Sequence, residues 1–160
     1  MSAIGFDRHD HNACQVACVA AAEKRCADEG LRLTEVRRRV LEILLEAHRA
    51  MGAYEILDRL REEGLGSQPP VAYRALDFLV GNGFAHKIER LNAFVACADP
   101  SHSHAPAFLI CRICDAVAEA PAEIGANAVS SAAEKAGFAV ERCVVEAVGV
   151  CPNCAERPGA

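Results

Sequence analysis

The sequence predicts an α+β chain in two parts, helices first and a small α/β unit after. Three observations carry this. Apolar residues recur at spacings of three and four through residues 14–81, the period of helices with one buried face. The pattern then shifts at residues 84–98 to two short segments rich in strand formers. Beyond a polar, turn-prone stretch at 98–106, the chain reads strand, helix, strand. At 160 residues and 52% hydrophobic content the chain is long enough for a real core and too apolar for disorder.

The elements follow in order. Residues 14–29 are Ala-rich and read as a helix ending near Gly30. Thr34 suits the N-cap of a second helix running to about Ala47, with Val36, Val40, Ile43 and Leu44 on one stripe and Arg37, Arg38 and Glu42 off it. A third helix fits 53–63, with Tyr54, Leu57 and Leu60 in helical spacing and Gly64 as its stop. Ser67 can cap a fourth helix at 69–81, with two prolines in its first turn. Residues 84–89 and 93–98 make a hairpin. Three helices, a fourth and a hairpin form the pattern of a winged helix-turn-helix, which sets a domain at 1–98, a hinge at 99–106 and an α/β domain at 107–160. In that last domain a strand at 107–114, a helix at about 122–136 and a strand at 138–150 are expected.

Composition narrows the function. The formal charge is −5, unusual for a nucleic-acid binder. The charge is uneven, however: residues 31–90 carry ten basic and nine acidic groups. A DNA contact must therefore come from a local basic face. No apolar run reaches membrane-span length, and the N-terminus lacks a basic end followed by an apolar stretch. A cytoplasmic protein without membrane association is expected.

Nine cysteines are many for such a chain, and the number is odd. Without an export signal, metal-binding thiols are favoured over a disulfide framework. Cys111-Arg-Ile-Cys114 and Cys151-Pro-Asn-Cys154 are two CxxC knuckles. Two residues between thiolates let both sulfurs meet one ion, and two knuckles complete a zinc tetrahedron. The 36 residues between them require a whole structural unit in the gap. The competing chemistry is thiol redox by a thioredoxin-like CxxC, which wants its motif opening a helix after a βαβ pattern. Cys14, Cys18, Cys26 and Cys143 read as small hydrophobes.

A second constellation lies around the hairpin. If Leu91 and Asn92 form a two-residue loop, His86 and Cys97 stand directly opposite each other on one face. The hinge adds His102 and His104, and Glu119 follows beyond it. Such a mixed set is one zinc accepts. His9, His11 and Cys14 form a further, unanchored group. In the fourth helix Ala72, Leu76, Leu79 and Val80 share a face, while Tyr73, Arg74 and Asp77 point elsewhere. An exposed Tyr-Arg pair near a helix start suits the major groove, where Arg can donate two bonds to guanine. No nucleophile with a paired base and no phosphate-binding glycine loop is present, so no enzyme is expected.

The segments LRLTEVRRRVLEIL, AYEILDRLRE, PPVAYRALDFL, GFAHKIE, FVAC and CRIC…CPNC carry a resemblance that runs from about Ala22 to Cys154. The chain resembles the ferric uptake regulator family, most closely its zinc uptake regulator branch. Glu35 after Thr34, and Val71-Ala72 before Tyr73, depart from the family's usual Pro and Thr-Val. The resemblance implies a homodimeric repressor whose winged helix reads an AT-rich palindromic operator in double-stranded DNA and whose second domain dimerises. It implies two zinc ions per chain. One is structural, on Cys111, Cys114, Cys151 and Cys154; the other is regulatory, on His86, Cys97, His104 and Glu119. Tyr73 and Arg74 would read bases. The seven-residue offset to Cys111 favours His104 over His102. Iron-sensing members carry a His-rich string ending in Asp before the first CxxC, which SHSHAPAFLIC lacks. A thiolate at Cys97 also favours zinc over ferrous iron. An iron, manganese or peroxide sensor of the same family, or a CxxC oxidoreductase, is the alternative.

Overall fold

The computed structural model describes residues 11–47, 49–101, 106–121 and 123–156. The described residues fall into two compact units, one over 11–101 and one over 106–156.

The first unit holds α1 (His11–Glu29), α2 (Glu35–Glu46), α3 (Ala53–Glu62), α4 (Pro69–Gly81), β1 (Ala85–Ile88) and β2 (Ala93–Ala96). Thr34 caps α2 as expected: its backbone is extended and its Oγ1 accepts from the Arg37 N–H at 3.4 Å. Gly30 and Gly64 take φ of +68° and +72°, the left-handed backbone that ends α1 and α3 without a Cβ penalty. The cap of α4 differs from expectation. Gln68, not Ser67, is the N-cap, its side chain makes no cap bond, and Pro69 opens the helix. A residue before proline is pushed out of the helical region, so Gln68 is extended and the helix begins at the proline.

The core of this unit is built from one stripe of each helix. Val40, Leu41, Ile43 and Leu44 of α2 meet Ile56, Leu57 and Leu60 of α3 and Ala72, Ala75, Leu76 and Leu79 of α4, with Phe84 closing the end. Ala53, not Tyr54, belongs to the buried stripe of α3; Tyr54 is 65% exposed. On the surface Arg39 of α2 bonds Glu63 just beyond α3 through Nε (2.6 Å) and Nη2 (2.8 Å). It also donates to Glu46 and Glu42 of its own helix. Arg59 of α3 reaches back to Glu46. These charges tie the two helices together outside the core.

The wing forms, but in another register. His86 pairs with Val95, and Ala85 with Ala96. Leu91 and Asn92 do not make a two-residue loop. Residues 89–92 make the turn, with Asn92 at φ 46° and its N–H on the Glu89 carbonyl. Leu-Asn lacks the paired left-handed residues of a tight hairpin turn, so the loop widens. Phe94 also exchanges both backbone bonds with Met51, which anchors β2 in this register.

The second unit holds β3 (Pro106–Cys111), β4 (Val117–Pro121), α5 (Glu123–Lys135), β5 (Val145–Gly149) and α6 (Pro152–Ala155). Its sheet runs β4-β3-β5, antiparallel on one side of β3 and parallel on the other. The expected strand at 107–114 stops at Cys111. The chain turns, Asp115 adopts φ 57°, and β4 returns alongside β3. The strand expected at 138–150 is confined to Val145–Gly149. No helix among the described residues is long and apolar enough to cross a membrane.

Candidate metal centres and DNA-reading surface

The two knuckles converge on one point. Cys111 is the last residue of β3, Cys114 sits in the turn after it, Cys151 is the N-cap of α6 and Cys154 lies within α6. Arg112 N–H donates to the Gly149 carbonyl at 2.9 Å, which holds the first knuckle against the end of β5 and so beside the second. The four sulfurs lie within 4.8 Å of one another. Cys114 and Cys151 sulfurs are 3.8 Å apart, and the Cys151 N–H points at the Cys111 sulfur at 3.4 Å. A disulfide would need about 2.05 Å. Four sulfurs on a zinc ion with bonds of about 2.3 Å stand about 3.8 Å apart, so the donor set and its spacing fit zinc.

The electrostatics point the same way. The backbone N–H of Cys151, with that of Cys114, holds the Cys111 thiol down at about 6. Burial and the neighbouring sulfurs push the Cys154 thiol up to about 12. Four thiolates cannot share this space without a cation, and a divalent ion deprotonates them together. Cys111, Cys151 and Cys154 are buried and Cys114 is exposed.

In the first unit, His86 and Cys97 are diagonal neighbours on one face of the wing, not directly opposed. The slip from the expected register is two residues, an even number, so both side chains keep the same face. The Cys97 N–H donates to the Phe84 carbonyl at 2.9 Å. Cys97 is 1% exposed, and Nε2 of His86 is closed off from solvent. A ring nitrogen of His86 and the Cys97 sulfur lie within 4.8 Å of each other. In the second unit Glu119 lies on β4 opposite Phe108, half-buried. His102, His104 and His9 lie outside the described residues, as does the side chain of His11; Cys14 is half-buried on α1.

The surface of α4 separates as its sequence suggests. Tyr73 is 43% exposed, and Arg74 and Asp77 are exposed as well. Ala72, Leu76 and Leu79 are buried, and Val80 is only partly so. β1 packs directly against α4, and Phe78 of α4 meets Phe84 at 6.3 Å. The wing residues that hold His86 and Cys97 therefore rest on the helix that bears Tyr73 and Arg74. β4 is an unexpected strand, since its Ala-rich stretch gives little strand signal beyond Val117.

The model of the ferric uptake regulator family matches residues 28–148. The zinc uptake regulation protein of Escherichia coli (strain K12) is 42% identical over 139 residues, 86% of this chain and 81% of that protein. A solved zinc uptake regulator complexed with zinc and DNA superposes with a TM-score of 0.85 at 41% identity, covering 89% of this chain and 95% of that one. The crystal structure of holo XcZur gives 0.82 at 40% identity, covering 88% and 99%. A family match that spans most of the helices, the wing and the sheet, joined to such identities over most of each relative, makes this chain a member of the ferric uptake regulator family.

Proposed function

We propose that this chain is a zinc-responsive transcriptional repressor, which binds operator DNA as a zinc-loaded homodimer and silences zinc-uptake genes. The observation that carries the reading is the His86–Cys97 pair. An imidazole and a thiol within 4.8 Å form a donor set suited to zinc, and they sit on the wing that packs against α4. The relatives point the same way: one is named for zinc uptake regulation and another was solved with zinc and DNA.

Two zinc ions per chain are assigned. The structural ion takes Cys111, Cys114, Cys151 and Cys154. The regulatory ion takes His86, Cys97, His104 and Glu119, so that zinc joins wing, hinge (99–106) and second domain (107–160). Tyr73 and Arg74 read bases in an AT-rich palindrome. With zinc bound, the two recognition helices of a dimer are held at the spacing of successive major grooves. Without it, a smaller fraction of dimers has that geometry. Linkage then requires operator DNA to tighten zinc binding in return. The dimer contact is assigned to the second unit. There β5 is an edge strand, as β4 is, and Val129, Phe138 and Val148 are each about half exposed or more. Such an edge and such apolar side chains favour a second copy. The setting is cytoplasmic.

Elemental analysis tests the reading. The native chain should carry two zinc ions and Cys97→Ser one. On an AT-rich palindromic duplex selected from a random pool, the native dimer should bind only with zinc, and Cys97→Ser should not bind. One zinc in both proteins after incubation with zinc would overturn the sensor reading.

A further inference from the structure

Cys97 lies just past the last paired residue of β2, with its N–H on the Phe84 carbonyl. One side chain braces the backbone on both sides of it. Arg25, on α1, has only 14% of its side chain exposed. Its Nε donates to Glu29 at 2.8 Å, which fixes the plane of the guanidinium against its own helix. Its Nη1 donates to the Pro100 carbonyl at 3.3 Å. Its carbon centre stands 4.8 Å over the Phe84 ring.

These two outside contacts bracket Cys97. Phe84 receives the Cys97 N–H on its carbonyl and lies two residues before His86. Pro100 follows Cys97 by three residues and is itself buried. A planar cation with five donors can stack on a ring and bond in its own plane at once, which an ammonium cannot. The guanidinium thus pins the strand that carries His86 and the segment that leaves Cys97.

We propose that Arg25 is a positioning residue for the sensing site: it holds the Cys97 thiol beside His86 before metal arrives. The inference rests on the reading of His86 and Cys97 as zinc ligands. Groups that orient ligands in this way typically change metal affinity by about 10- to 100-fold when removed.

The test uses the full-length dimer with its four-cysteine site loaded. Arg25→Met keeps most of the bulk and loses the donors; Arg25→Lys keeps charge and one donor group. Second-site affinity is read by zinc competition against a chelator, and site geometry by the thiolate-to-metal absorption of cobalt(II). Thermal melting of the protein without second-site metal is read in parallel, and Cys97→Ser serves as the reference. Arg25→Met is expected to weaken second-site zinc about 10-fold or more and to dim the cobalt band, with Arg25→Lys intermediate. A lower melting temperature with second-site affinity and cobalt spectrum unchanged would overturn the proposal and leave Arg25 a packing residue. Should Arg25→Met fail to fold, Arg25→Lys decides alone: native affinity and spectrum overturn the proposal. If Cys97→Ser still binds the second zinc as the native chain does, the site assignment itself fails, and the Arg25 proposal falls with it.

Discussion

Arg74 shows how much one side chain can be read from sequence. Its place one position after Tyr73, off the Ala72-Leu76-Leu79 stripe, is enough to put it on the open side of α4, and there the structure has it. Arg74→Ala should weaken operator binding by about 1–3 kcal/mol, the value of one bidentate base contact. Zinc content should stay native, because Arg74 belongs to neither metal set. Fluorescence anisotropy with labelled duplex, beside elemental analysis, checks both halves. The pairing of His86 with Cys97 was legible in kind and wrong in detail. Alternation along a strand fixes which face a residue takes, whereas register depends on the turn, and a four-residue turn around Asn92 has no two-residue signature. Tyr54 keeps its helical spacing but not a buried place. Its spacing to Leu57 allows either flank of the α3 stripe, and Ala53 and Ile56 take the buried one.

At the scale of elements, helix pairing in the first unit has a charged component beside its apolar one. Arg39 holds the Glu63 carboxyl below its ordinary range. Burial pushes Glu46 up, but bonds from Arg39 and Arg59 outweigh it, and its net shift is also downward. A carboxyl lowered in the folded state stabilises the fold fully above its ordinary value near 4.3, and that contribution fades as pH falls through the lowered one. Arg39→Met should therefore lower the melting temperature at pH 7. The gap from the native protein should close below about pH 4. Thermal melts followed by circular dichroism across pH 3–7 would show this, and a gap that stays constant with pH would refute the ionic assignment. α2, α3 and α4 were legible to within a residue or so at each end, since each has a periodic stripe with a cap, proline or glycine at an end; α1 starts three residues before the expected 14 and the short α6 was not foreseen. β4 was not. Its position follows from the turn at Asp115 and from pairing with β3, and both are tertiary facts that the sequence of residues 117–121 barely signals.

For the molecule as a whole, the sequence pointed to two kinds of stabilisation. The first unit has a large apolar core. The second has Phe108, Ile110 and Ala118 buried, and beside them three buried cysteines. A unit with so little apolar burial among its described residues would lean on a metal held by these cysteines. The CxxC spacing made that visible in the sequence, although the elements that close the gap were only partly visible. The arrangement has a consequence for a broken chain. A zinc ion held by Cys111 and Cys151, as proposed, would close a loop of 40 residues, and such a closure removes about 4 kcal/mol of disorder from the unfolded chain. It also makes one peptide bond inside that loop dispensable for connectivity. Trypsin that cuts after exposed Arg142 should yield two pieces that still travel as one particle in gel filtration. A chelator should loosen them, because a zinc ion held there would join the two pieces alongside the β3–β5 ladder and the Arg112–Gly149 bond.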